Sequence, residues 1–349
     1  MEDIKNYSRK ALEKWFENQG MRSFRAGQIF KWIYLRQADS FEEMTDLGKV
    51  LRQTLASHFS IPRLELERSE VSKDGTEKLL FRLTDGNYIE SVLIPQKDHY
   101  TLCISSQAGC RQACKFCLTA KGGFHRNLTC AEIVSQVRDA RQHLALKNGT
   151  APLSNIVFMG MGEPLDNYEA VIKALSIITD SDYGLKFSPR RVTVSTCGLV
   201  PEILRLGLDT EANLAISLNA TQDSTRTALM PVNRRYPMAK LLDACGRYHM
   251  KPRNKITFEY ILIKGINDSD ADAHRLVRLL APIKAKVNLI PFNPHEKSEF
   301  QRPSPGDVSR FMQILLDRQV TAIVRKSKGD DISAACGQLK AKMGECCQR

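Results

Sequence analysis

The sequence predicts an α/β protein: a partial (β/α)6-type barrel preceded by a small helical domain and a β-hairpin linker. Three observations carry this expectation. Residues 1–63 show helical periodicity, residues 64–97 turn strand-like, and from residue 98 onward apolar runs and helical stretches alternate. Repeated strand–helix units imply a parallel sheet with right-handed crossovers, and reactive groups then fall at the C-terminal ends of the strands.

In the first segment, Ser8 is placed to cap a helix carrying Leu12, Trp15 and Phe16. A second helix follows over Ala26–Leu35 and a third over Leu47–Phe59, before Ile61-Pro62. In the linker, Glu77–Arg82 and Tyr88–Ile94 flank Asp85-Gly86-Asn87, a turn signal that predicts a hairpin. The barrel strands are expected at Thr101–Ser105, Ile156–Gly160, Val192–Thr196, Leu214–Leu218, Ile256–Leu262 and Val287–Phe292, with a shorter one at Val320–Val324. The clearest helix between them opens at Thr129, which has capping-box spacing to Glu132. Others are expected near Tyr168–Ile178, Met238–Tyr248, Ala271–Leu280 and Pro305–Asp317.

Composition narrows the class. A chain of 349 residues with 42% hydrophobic content can bury one large domain and a small accessory one. It has no apolar run near the ~20 residues that cross a bilayer, and no apolar leader, so no membrane partner is expected. Ten irregularly spaced cysteines argue for thiols in a reducing cytoplasm rather than a disulfide scaffold. The net charge of +12 gathers at Arg190–Arg191, Arg234–Arg235, Lys251–Lys255 and Arg325–Lys328. An excess of this size favours a polyanionic partner, nucleic acid above all, though many such lysines are simply solvated.

The most informative motif is AGCRQACKFC, which places Cys110, Cys114 and Cys117 in one loop after the first barrel strand. A cubane iron–sulfur cluster ordinarily takes four cysteines. Three leave one iron open to a small molecule, the coordination that reductive cleavage of S-adenosylmethionine (SAM) requires. The competing expectation is a zinc knuckle completed by His125. Other strand ends carry Gly160-Met161-Gly162-Glu163-Pro164, Ser195-Thr196-Cys197-Gly198, Ser217-Leu218-Asn219 and Asn293-Pro294. Each alone is weak, since Gly-rich turns and helix caps are common. Cys103 by itself reads as a small core residue, Cys336 as a tail thiol, and Glu90 as the outward position of an alternating strand. Buried, Glu90 would have a raised pKa suited to proton transfer.

Taken together and in order, SSQAGCRQACKFCLTAKGGFHRNL, FMGMGEPLDN, SPRRVTVSTCG, LAISLNA, LMPVNRRYP, NLIPFNP and DISAACGQL closely resemble the bacterial radical-SAM adenine-C2 RNA methyltransferases. The resemblance spans residues 88–340 and implies a radical-SAM partial barrel. It implies a 4Fe–4S cluster on Cys110, Cys114 and Cys117, with SAM contacted by Gly162, Glu163, Ser195, Ser217, Leu218, Asn219 and Asn293. Cys336 then matches the cysteine that carries the methyl group, Cys103 the one that resolves the intermediate, and Glu90 the proton acceptor. The implied substrates are an adenosine of 23S rRNA at the peptidyl transferase centre and one beside the tRNA anticodon. An external electron donor is implied because the Cys103–Cys336 disulfide forms at each turnover, and the chain is expected to be monomeric. A related family methylates C8; it tends to carry Ala where this chain has Pro164, which favours C2. Some members carry His at the position of Asn219.

Overall fold

The computed structural model describes residues 1–147, 151–295 and 298–340. Cys346 and Cys347, expected as tail residues, lie outside that range. The main sheet has ten strands: β1 (Glu65–Val71), β2 (Glu77–Arg82), β3 (Tyr88–Pro95), β4 (Tyr100–Cys103), β5 (Leu153–Phe158), β6 (Val192–Thr196), β7 (Asn213–Ser217), β8 (Ile256–Leu262), β9 (Ala285–Pro291) and β10 (Ala322–Val324). Their spatial order is their chain order, so each pairs with its sequence neighbours. β4 to β10 are parallel, and β1 to β4 are antiparallel. β1 and β10 remain edges, so the barrel is open. The hairpin strands are a continuation of the barrel sheet.

Side-chain alternation explains the two faces. Leu102, Ile156, Phe158, Val192, Val194, Leu214, Ile216, Phe258, Tyr260, Val287 and Leu289 are buried in the main core, beneath the crossover helices. The opposite face carries the register rows Cys103–Val157–Thr193 and Ser217–Glu259–Asn288. Small and polar residues there leave a concave wall. The segment after β10 lies against it: Ala334 and Leu339 pack with Val92, Cys103 and Met161 in a second, smaller apolar cluster.

The N-terminal helices run over Arg9–Asn18, Arg25–Phe30 (continuing as a π-helical turn to Leu35) and Lys49–His58. Ser8 Oγ accepts from the Ala11 amide, and the Thr129–Glu132 capping box is complete at the start of Cys130–Leu146. Glu2–Asp3 pairs with Phe59–Ser60, closing the helical segment on itself. Fully buried Arg138 then bonds it to the barrel. It donates to the Ile33 carbonyl at 3.2 Å, the Ala38 carbonyl at 2.6 Å and the Asp39 carboxylate at 2.6 Å. No helix among the described residues is long and apolar enough to cross a membrane.

Candidate active site

The cysteine loop is the bend of a second, two-stranded sheet. Gln107–Gly109 pairs with Phe124–Asn127, and the loop between them carries all three thiols. The neck closes because position 109 has no side chain: a Cβ there would lie 2.1 Å from the Gly123 carbonyl oxygen, and φ is +78°. Inside the loop, Cys110 N–H donates to Gly123 O at 2.8 Å and Cys117 N–H to Cys114 O at 3.1 Å. Burial pushes the Cys110 thiol up to about 12 and Cys114 well above its ordinary value. Negative charge on neighbouring cysteines raises both further. To ligate as thiolates, Cys110, Cys114 and Cys117 would need a cationic partner, which iron would supply. The donor set thus fits a cluster with three protein ligands. The zinc knuckle finds no support: His125 is exposed, and among the described residues no three His, Cys, Asp or Glu side chains converge to hold a single ion.

The strand ends gather around this loop. Gln107, fully buried, accepts from the Glu163 amide at 2.9 Å and donates to Asn127 at 2.8 Å and Asp166 at 3.1 Å. It thereby ties the neck to the β5 turn. A Cβ at Gly162 (φ +99°) would meet the Gln107 Cβ at 2.5 Å, so only glycine permits this approach. Glu163 is buried. Its Oε2 accepts from the Cys197 amide at 2.8 Å and its Oε1 from the Leu165 amide at 3.1 Å. Burial raises its pKa, and these amides oppose the rise.

Ser195, in register with Ala215, and Ser217, in register with Glu259, lie on the concave face, the first one residue before the end of its strand and the second at the end of its own. Leu218 and Asn219 follow and are buried. The Asn219 side chain is committed to the scaffold, accepting from the Ile261 amide at 2.8 Å and donating to Met230 Sδ at 3.3 Å. Asn293 accepts from Arg302 at 2.7 Å, and its Nδ2 reaches the Cys336 carbonyl at 3.4 Å.

The structure brings Cys103 and Cys336 to the same wall. Burial pushes the Cys103 thiol up to about 12, and charge on Cys336 adds to the rise. Cys336 is solvent-exposed, and Cys103, Cys117, Glu259 and Arg325 lie close enough to act on its charge. The pKa of its thiol is raised by burial and lowered by Arg325. Its loop is fastened just beyond Cys336: Leu118 N–H donates to Gly337 O at 2.7 Å, and Thr119 Oγ1 to Leu339 O at 2.6 Å. All eight described cysteines are free thiols. Glu90 is buried at 2% exposure, and burial raises its pKa.

Three contributors went unread in the sequence. Arg325 was counted among the surface charge, but it turns inward toward Cys336, Glu259 and Cys103, while Arg190, Arg234 and Lys251 stay exposed. Glu259, bonded at Oε1 by Asn288 at 2.8 Å, has no partner at Oε2 among the described residues. Arg226, fully buried, donates to the Cys197 carbonyl at 2.6 Å and the Leu218 carbonyl at 3.1 Å. A charged residue buried by tertiary packing leaves no periodic signal.

Comparison with known proteins agrees with this geometry. The family described as the ribosomal RNA large subunit methyltransferase N-terminal domain matches residues 2–61, and the radical SAM superfamily matches residues 104–277. A protein named dual-specificity RNA methyltransferase RlmN from Desulfosudis oleivorans is 55% identical over 340 residues, covering 97% of this chain and 91% of that one. The protein of the same name from Geobacter sulfurreducens is 55% identical over 343 residues, covering 98% and 93%. The crystal structure of a radical SAM methyltransferase from Sphaerobacter thermophilus superposes with a TM-score of 0.90 at 45% identity, covering 98% of this chain and all of that one. The barrel is therefore a radical-SAM barrel, and the cofactors of the site are a 4Fe–4S cluster and SAM. With its fold, its cysteine loop and near-full-length identity in agreement, the chain belongs to the RlmN family of radical-SAM RNA methyltransferases.

Proposed function

We propose that this enzyme methylates C2 of an adenosine in 23S rRNA at the peptidyl transferase centre, and of an adenosine in the tRNA anticodon loop, through a methyl group carried on Cys336. The observation that carries the reading is the convergence of Cys103 and Cys336 on one wall, with Cys336 in a loop bonded to the residue after Cys117. C2 of adenine is electron-poor and has no lone pair, so it cannot attack a methyl donor directly. Cys110, Cys114 and Cys117 would hold the cluster, and Gly162, Glu163, Ser195, Ser217, Leu218, Asn219 and Asn293 would hold SAM, which together would supply the methyl group and a hydrogen-abstracting radical.

The remaining steps belong to the chain's own side chains. The Cys336 sulfur takes the methyl group and presents it to C2. Glu90 accepts the proton that leaves C2 once the new carbon–carbon bond has formed. Cys103 attacks the Cys336 sulfur and forms the disulfide; the bond from that sulfur to the methylene carbon breaks with its electron pair on carbon, which takes up a proton and leaves as the methyl group of the base. An external electron donor then returns both thiols. Residues 1–63 would serve as an RNA-docking accessory domain, residues 64–97 as the linker carrying Glu90, and residues 98–349 as the catalytic barrel. Exposed Arg234, Arg235, Lys251 and Arg253 suit phosphate contacts, since splayed RNA bases are reached through backbone binding. A monomer working in the cytoplasm completes the reading.

The test is nucleoside mass spectrometry of ribosomal and transfer RNA from cells with and without the gene, alongside purified Cys336→Ala. Loss of 2-methyladenosine with the gene, and a variant that keeps its iron but transfers no methyl, is the expected result. Full methylation by Cys336→Ala would overturn the carrier role, and 8-methyladenosine would overturn the C2 assignment.

A further inference from the structure

Lys78 is a buried cation on β2 whose ammonium faces three oxygens, two of them at hydrogen-bond distance. Its Nζ lies 2.6 Å from the Ile332 carbonyl, 2.8 Å from Glu70 Oε2 and 3.6 Å from Glu90 Oε1. The first two are hydrogen bonds; the third is an ion pair too long to be one. Glu90 Oε2 has no partner among the described residues. In the sheet, Lys78 pairs with Val92 and Glu90 with Leu80, while Val92 pairs with Cys103. Alternation therefore puts Lys78, Glu90 and Cys103 on one face. Ile332 stands four residues before Cys336, in the segment that lies on that face.

We propose that Lys78 is a positioning residue for the proton-transfer step: it anchors one Glu90 oxygen, leaves the other free, and joins the base to the Cys336 segment through the Ile332 carbonyl. The inference rests on Glu90 being the base, as proposed above. Its physical logic is charge compensation. A carboxylate at 2% exposure is costly unless paired, and Lys78 supplies the pairing charge. The contact to Lys78 falls on Oε1, so Oε2 can take a proton without disturbing it. When the proton arrives from C2, Glu90 becomes neutral, and Lys78 stays balanced by Glu70, whose side chain is 30% exposed. No stranded buried cation results. The groups that face the Glu90 carboxyl are Lys78 and the Lys340 amide, which favour its ionised form, and Glu70, which opposes it.

The experiment compares Lys78→Met, Lys78→Arg and Glu90→Gln in the reconstituted enzyme with an RNA substrate. Intact-protein mass reads methylation of Cys336, and a denaturing gel reads the RNA-linked adduct and its decay. Lys78→Met is expected to load iron and methylate Cys336 normally, yet to resolve the adduct about tenfold more slowly at neutral pH. Losing the cation raises the Glu90 pKa, so the acid limb of resolution should move to higher pH; Lys78→Arg, which keeps the charge, should restore it. Wild-type resolution by Lys78→Met, with Glu90→Gln stalled, overturns the proposal and leaves the base assignment standing. Normal resolution by Glu90→Gln overturns both. Loss of Cys336 methylation in Lys78→Met reduces Lys78 to a structural tether and also overturns it.

Discussion

The Leu118 amide, one residue beyond the last cysteine of the loop, donates to the Gly337 carbonyl, one residue beyond Cys336, at 2.7 Å. One hydrogen bond thus joins the cysteine loop to the Cys336 loop across more than half the chain. In the proposed mechanism the two must be held in fixed relation, because a hydrogen would have to leave a methyl group on Cys336. Placement of reacting groups of this kind carries much of the barrier reduction open to an enzyme.

Gly337 has φ +81°, and a Cβ there would meet nothing closer than 3.4 Å. The cost of Gly337→Ala is therefore conformational rather than steric, roughly 1–2 kcal/mol for a left-handed non-glycine residue. Because the strain falls on the segment and not the core, iron content and melting temperature should match wild type. Methyl transfer should drop about fivefold to thirtyfold, the rate equivalent of that strain. Parallel iron assays and single-turnover kinetics check this; an equal loss of iron would show that the loops fold as one unit.

Gly109→Ala should behave in the opposite way. Its Cβ would sit 2.1 Å from the Gly123 carbonyl oxygen, a backbone atom that cannot rotate aside. The neck of the cysteine loop would have to open, separating Cys110 from Cys114 and Cys117. Reconstitution should then yield little iron or sulfide, while far-UV circular dichroism stays unchanged because the ten-stranded sheet does not depend on the neck.

These two glycines show where the sequence speaks and where it does not. The parallel strands were legible because one face of each is continuously apolar: Val192 and Val194, Ile256 and Phe258, and Val287 and Leu289 are all core residues. β1 escaped notice because Glu65–Val71 is an edge strand whose side chains are nearly all exposed, so it has no apolar alternation to read. The cysteine loop announced itself through spacing. Cys103, Cys336 and Glu90 could be assigned roles only through family resemblance, since their meeting is tertiary: Lys78 and Ile332 are 254 positions apart. Arg325 could not be told from its basic neighbours for the same reason, because a basic run does not reveal which member turns inward.

If Cys103 resolves the adduct as proposed, the pH dependence of that step follows from its thiol. Burial holds its thiol at about 12, so near neutrality it is almost wholly protonated. The attacking species is the thiolate, whose fraction rises about tenfold per pH unit below that value. Decay of the RNA-linked adduct should therefore accelerate steadily from pH 7 to 9, with no plateau. Arg325 lowers the Cys103 pKa, so Arg325→Met should shift the whole profile to slower rates at every pH. Rapid-quench gels across that range provide the measurement, and a flat profile would mean that another step limits resolution.

Arg226 offers the sharpest test of how the SAM-facing strand ends are held. Its guanidinium is fully buried and spans the ends of β6 and β7, donating to the carbonyls of Cys197, Ser217 and Leu218 and to Asn233 Oδ1. No ion pair with an acid within 4 Å forms among the described residues; the charge is met by carbonyl dipoles. Lysine carries the same charge on a point donor and cannot reproduce a planar fork with separated bonds. Arg226→Lys should leave at least two carbonyls unpaired, each costing about 1–3 kcal/mol. Ser195 and Ser217 would then lose their fixed spacing, and SAM affinity measured by calorimetry on the reconstituted enzyme should fall by about tenfold or more. The cysteine loop has its own neck, so iron content should hold. A variant that loses iron together with SAM affinity would place Arg226 in support of the loop instead of the strand ends.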